Sequence, residues 1–82
     1  MNPQNVASRC EALFASDLQA SQHPDLRAVR TAIQQSMRAL GPEGCAARMA
    51  QEFGDHPDTA LARMRWARET CEALGGRKMT AA

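Results

Sequence analysis

Apolar residues recur along this chain at helical spacing, and nowhere at the period of two that marks a strand. Val6, Cys10, Leu13, Phe14 and Leu18 fall on one helical face, with Arg9, Glu11 and Asp17 mostly off it, which predicts a first helix over about residues 4–20. Leu26, Val29, Ile33, Met37 and Leu40 then follow at spacings of 3, 4, 4 and 3, the cleanest stripe in the chain. Pro24-Asp25 is its start signal: proline is tolerated in a first turn, and an acidic neighbour favours the positive end of the helix dipole. Gly41-Pro42 predicts its stop, since proline cannot continue a helix.

A short third helix is expected over 42–53, with Cys45, Ala46, Met49, Ala50 and Phe53 along its buried edge and Gly54 as its C-cap. His56-Pro57-Asp58 repeats the start signal of His23-Pro24-Asp25 and opens a fourth helix that runs to Leu74, before Gly75-Gly76. The two tripeptides are read as the same helix-start chemistry used twice, because the helices after them share little else. No Asn-Gly or Asp-Gly hairpin signal appears. The expectation is an all-α, compact four-helix domain over 1–74, followed by a flexible tail over 75–82. Its core should comprise Val6, Leu13, Phe14, Leu18, Leu26, Val29, Ile33, Met37, Leu40, Met49, Phe53, Leu61, Met64 and Leu74.

The stretch MAQEFGDHPDTALARMRWAR, residues 49–68, resembles the helix-turn-helix of region 4 in sigma-70-type factors. Ala50 stands where the first helix of that unit needs a small residue, and Gly54 where its turn needs glycine. Thr59-Ala60, Arg63-Met64 and Ala67-Arg68 echo its second helix. The resemblance implies a helix-turn-helix-like corner between the last two helices, and a recognition helix whose DNA contacts would be Arg63, Arg65 and Arg68. More broadly, SDLQ (16–19), GDHPDTA (54–60) and RMRWAR (63–68) are similar to segments of small helical proteins of actinobacteria. That resemblance carries no mechanism.

Charge argues against the DNA reading. From Pro42 onward six basic residues are matched by six acidic ones, and the whole chain of 82 residues carries a net charge of only +1. Arg65–Glu69 and Arg68–Glu72 stand at i,i+4, the spacing of a solvated mixed-charge face. Arginine outnumbers lysine nine to one, a bias of GC-rich bacterial genomes. Length alone excludes a large enzyme, and no apolar run approaches the roughly 20 residues that span a bilayer. Met1–Asn5 is polar and uncharged, so no export signal is expected. Three cysteines, an odd number with no CxxC pair, fit a reducing cytoplasm in which thiols serve as small core residues.

Candidate chemistry is sparse. His23 and His56 each stand beside a proline with no cysteine within four residues, so neither a metal site nor a Cys–His nucleophile is expected. Glu43, Glu52, Asp55 and Asp58 read as helix-end and solvent carboxylates. Gly41 and Gly44 lack the GK[ST] of a phosphate loop. The chain is expected to be no enzyme and to hold no cofactor or metal.

Trp66 is the most informative single residue. On the fourth helix Ala60, Leu61, Met64, Ala67, Cys71 and Leu74 form an apolar stripe, and Trp66 lies about 160° from its centre at Met64. Two readings stand: Trp66 closes the core against Phe14 or Leu18, or it is displayed with Arg63 and Thr70 as a partner surface. The functional expectation is a non-enzymatic cytoplasmic interaction module, homodimeric or with an unidentified protein partner, using the exposed side of the last helix. The alternative is a small DNA-binding or transcription-associated protein using that same helix.

Overall fold

Asp25 sets the start of the longest helix. In the computed structural model, which describes residues 6–75 and the side chains of 7–74, its Oδ1 accepts the Ala28 amide hydrogen at 2.8 Å while its own backbone stays extended. That is N-cap geometry, and it satisfies one of the donors every helix start leaves unpaired. The described residues form α1 (Val6–Ala15), α2 (Leu26–Asp55) and α3 (Pro57–Gly75), with a 3-10 turn at Ala20–Gln22 and no strand among them. Each helix packs against the other two. The side chain of Val6 and the tail beyond Gly75 lie outside the described residues.

Among the described residues the all-α expectation holds, but the helices number three and not four. Gly41 adopts φ 72° and ψ 169°, a region open almost only to glycine. Proline needs no amide donor in a first turn, so the helix resumes directly at Pro42. The expected stop is therefore a kink inside α2, with no connection around it. The thiol of Cys45 donates to the Ser36 carbonyl at 3.7 Å across the kink, which ties the two limbs together. Gly54 is not the C-cap; α2 runs on to Asp55, and His56 caps it through its amide bond to the Glu52 carbonyl at 2.7 Å.

The first helix is shorter than the apolar pattern predicts. Ser16 ends it: its Oγ donates to the Leu13 carbonyl at 2.6 Å and accepts the Leu18 amide at 3.3 Å, an alternative to helical bonding. His23 closes the 3-10 turn in the left-handed conformation, with its amide on the Ala20 carbonyl. The two His-Pro-Asp copies serve different registers. In the first, Asp25 is the cap and Pro24 lies outside the helix; in the second, Pro57 is already the first helical residue. α2 and α3 are joined by His56 alone, whereas a helix-turn-helix unit has a turn of three to four residues.

The core is built from small residues as much as large ones. Leu13, Val29, Cys45 and Cys71 are fully buried, with Cys10, Ala12, Phe14, Ala15, Ile33, Ala60 and Ala67 around them. Leu18, Met37, Met64, Trp66 and Leu74 pack half-buried against this centre, as Met49 and Phe53 are half-buried. The Phe14 and Phe53 rings stack with centroids 5.9 Å apart. Three residues expected in the core are exposed: Leu26 at 44%, Leu40 at 40% and Leu61 at 53%. Leu26 directly follows the N-cap Asp25, and Leu40 directly precedes the kink at Gly41. Leu61 is exposed because α3 is rotated from the expected orientation.

Candidate functional site

The rotation of α3 follows from what lies on its inner side. Ala60, Ala67 and Cys71 are its buried residues, and α3 packs against both α1 and α2. Taking Ala67 as the inward direction, Met64 lies about 60° to one side and Trp66 about 100° to the other. Arg63 is about 40° from the centre on this count, on the inward face. Hydrophobicity pointed the stripe at Leu61 and Met64; packing is centred on the small residues.

Arg63 is turned onto the end of α1. Its Nε donates to the Phe14 carbonyl at 2.9 Å, and one terminal nitrogen donates to the carbonyls of Ser16 at 2.8 Å and Leu13 at 3.3 Å. These are carbonyls at the negative end of a helix that has no basic residue in its own last turn. The guanidinium carbon also lies 5.2 Å from the Trp66 ring centre and 5.7 Å from that of Phe14, within cation–π range. Burial pulls the Arg63 pKa down from its usual value; Glu52 opposes this and Arg48 adds to it. Arginine remains charged through such a shift.

Of the surface expected around Trp66, the structure brings Arg63, Trp66 and Thr70 to one flank of α3 and leaves all three half-buried. Trp66 packs against the core beside Arg63. Of the three arginines expected to meet DNA, Arg65 and Arg68 are exposed and Arg63 is engaged inside the fold. Glu69 and Glu72 are exposed on the same outer side as Arg65 and Arg68.

The outer face of α3 carries a residue that the apolar pattern had placed in the core. Leu61 lines a shallow groove of about 320 Å³ with Met64, Arg65, Arg68, Glu69 and Glu72. Past Met64, Arg68 and Glu72 a hollow of about 370 Å³ continues to Met49 on α2 and to Ala7, Cys10 and Glu11 on α1. A larger hollow of about 570 Å³ lies between the segment after α1 and the first limb of α2, where polar groups such as Asp17, Gln22, Gln35 and Arg48 surround Leu18 and Leu40.

The chain matches no protein-family model, no curated protein and no solved structure. Its function has to be read from this geometry. His23 and His56 are exposed at helix starts, and no group of three or more His, Cys, Asp or Glu among the described residues is placed to hold a metal ion. No described helix is long and apolar enough to cross a membrane. All three cysteines are free and buried. Burial, with Glu11 adding to it, pushes the Cys45 thiol above its ordinary value, which keeps it protonated.

Proposed function

We propose that this chain is a non-enzymatic interaction module of the reducing cytoplasm that pairs with a second copy of itself through the outer face of α3. The supporting observation is the exposed Leu61 followed by a charge order that is its own complement. An antiparallel two-fold axis between Arg68 and Glu69 sets Arg65 against Glu72 of the other copy, and Arg68 against Glu69, twice over. The same axis sets Met64 against Ala73 of the other copy and leaves Leu61 at each outer end of the seam. Exposed ion pairs contribute little individually, so the four pairs act together and set the register. The three free thiols suit a reducing compartment.

This reading moves the partner surface from the Trp66 flank, where Arg63 is engaged with α1, to the opposite side of the same helix. The DNA-binding alternative would use Arg65 and Arg68, but Glu69 and Glu72 on that face would meet phosphates.

Leu61→Asp tests the proposal. The residue is 53% exposed, so the helical circular dichroism should be unchanged. Sedimentation velocity should show a dimer for the wild type and a monomer for the variant at the same concentration. A wild type that stays monomeric as concentration rises, or a variant that still dimerises, would overturn it.

A further inference from the structure

Ser36 is the buried polar residue of the described core, only 7% exposed. Its carbonyl accepts the Cys45 thiol, but its hydroxyl has no hydrogen-bond partner among the described residues. A hydroxyl can donate one hydrogen bond and accept two, and buried ones are rarely left without any. The oxygen is not sealed in: among the described residues the one unpartnered side-chain atom shut off from solvent is Nε of Arg9. Ser36 therefore opens its hydroxyl onto the hollow of about 570 Å³ that it lines. Ser16, at the same hollow, is the contrast, since its Oγ is already bonded to the Leu13 carbonyl and the Leu18 amide.

The kink in α2 builds this hollow. Ser36 stands on the first limb and Arg48 on the second, and the bond from Cys45 to Ser36 holds the limbs so that both residues line one space. Asp17 lines it from the segment after α1, and Leu18, Ala32 and Leu40 give it apolar surface. Arg48 and Asp17 also line an adjoining hollow of about 230 Å³ together with Glu52 and Arg63, yet among the described residues neither forms an ion pair. The Arg63 guanidinium is committed to the end of α1. A simple anion would thus meet one free cation and two carboxylates, and a simple amine would leave Arg48 and the Ser36 hydroxyl unused. A ligand that carries both charges answers each group.

We propose that this hollow binds a small free α-amino acid with an aliphatic side chain, its carboxylate on Arg48 and the Ser36 hydroxyl, its ammonium on Asp17 and its side chain against Leu18 and Leu40. The planar fork of an arginine matches a carboxylate, and both ends of a free amino acid are charged at neutral pH. Small-molecule sites of about 300–1,000 Å³ pair apolar walls with a few polar groups in this way. The hollow shares no residue with the groove on the outer face of α3, so the site is separate from the surface proposed for pairing.

Titrating L-leucine into the isotope-labelled full chain, followed by amide chemical shifts in NMR, tests the site. Saturable shifts are expected at Leu18, Ser36 and Arg48, with a Kd of about 1 mM or tighter. Isocaproate, which lacks the ammonium, and isoamylamine, which lacks the carboxylate, should each bind at least about tenfold more weakly, the loss of one charged hydrogen-bond partner. Arg48 is exposed, so Arg48→Gln should keep the fold. It should weaken leucine by the same factor and leave isoamylamine unchanged, a pattern that damage to the fold would not give. No saturable shift up to about 10 mM leucine, either analogue bound as tightly as leucine, or Arg48→Gln binding leucine as the wild type does, would overturn the proposal. The same dissociation constant in Leu61→Asp keeps the site distinct from the pairing of copies.

Discussion

Replacing Arg63 with alanine should lower the free energy of unfolding by about 3 kcal/mol, because it removes charge-assisted hydrogen bonds to the end of α1 together with ring contacts. The carbonyls of Leu13, Phe14 and Ser16 all accept from this one guanidinium. Hydrogen bonds to a charged group contribute about 1.5–3 kcal/mol each, but three made by one side chain do not add. The loss also takes the cation away from the faces of Trp66 and Phe14. Arg63→Lys should recover less than half of the difference, since an ammonium is a point donor and cannot match a planar fork spread over three carbonyls. Urea unfolding followed by circular dichroism measures both variants. A change under about 0.5 kcal/mol for Arg63→Ala, the range of an ordinary surface substitution, would contradict the capping role.

Leu13→Ala should cost about as much or more, about 3–4 kcal/mol, through lost burial and the cavity left behind. Leu13 is fully buried between the helices, and its carbonyl is one of those Arg63 holds. A chain of this size has a total stability of only about 4–12 kcal/mol, so the variant should be largely unfolded well below the melting temperature of the parent. Leu61→Ala is the matched control. It deletes the same atoms from a position that is 53% exposed in one copy, and at concentrations low enough to keep the chain monomeric it should move the urea midpoint very little. Equal losses at the two leucines would mean that Leu61 is covered by the protein's own core.

The contrast between these leucines shows where the sequence is informative. Helix starts are written locally: Asp25 acts through its side chain on the Ala28 amide and Pro57 through its own backbone, and a helix begins beside each. The break at Gly41-Pro42 is written locally too. Whether it becomes a connection or a kink depends on how the two limbs pack, and the bond from Cys45 to Ser36 belongs to that packing. The rotation of α3 is a tertiary property. Apolar size favours Leu61 and Met64 as the inward side, but the packing of α3 on the other two helices buries Ala60 and Ala67. A helix that turns a charged residue inward breaks the simple apolar-in pattern, and Arg63 does so with its guanidinium on the carbonyls at the end of α1. That contact joins residues about fifty positions apart, and no local pattern signals it. The candidate surface was legible as an element and not as a face: the sequence pointed to α3, and the structure leaves Arg65, Arg68, Glu69 and Glu72 outside and draws Arg63 and Trp66 in.

The pairing of two copies through that face is tested most directly by exchanging its charges. Arg65→Glu with Arg68→Glu makes one variant, and Glu69→Arg with Glu72→Arg makes the other. Each carries like charges where the two-fold arrangement needs opposite ones, so each should sediment as a monomer. Mixed in equal amounts, they regain the complement and should sediment as a heterodimer that weakens as salt is raised. Two variants that each dimerise as the wild type does, or a mixture that stays monomeric, would contradict the account.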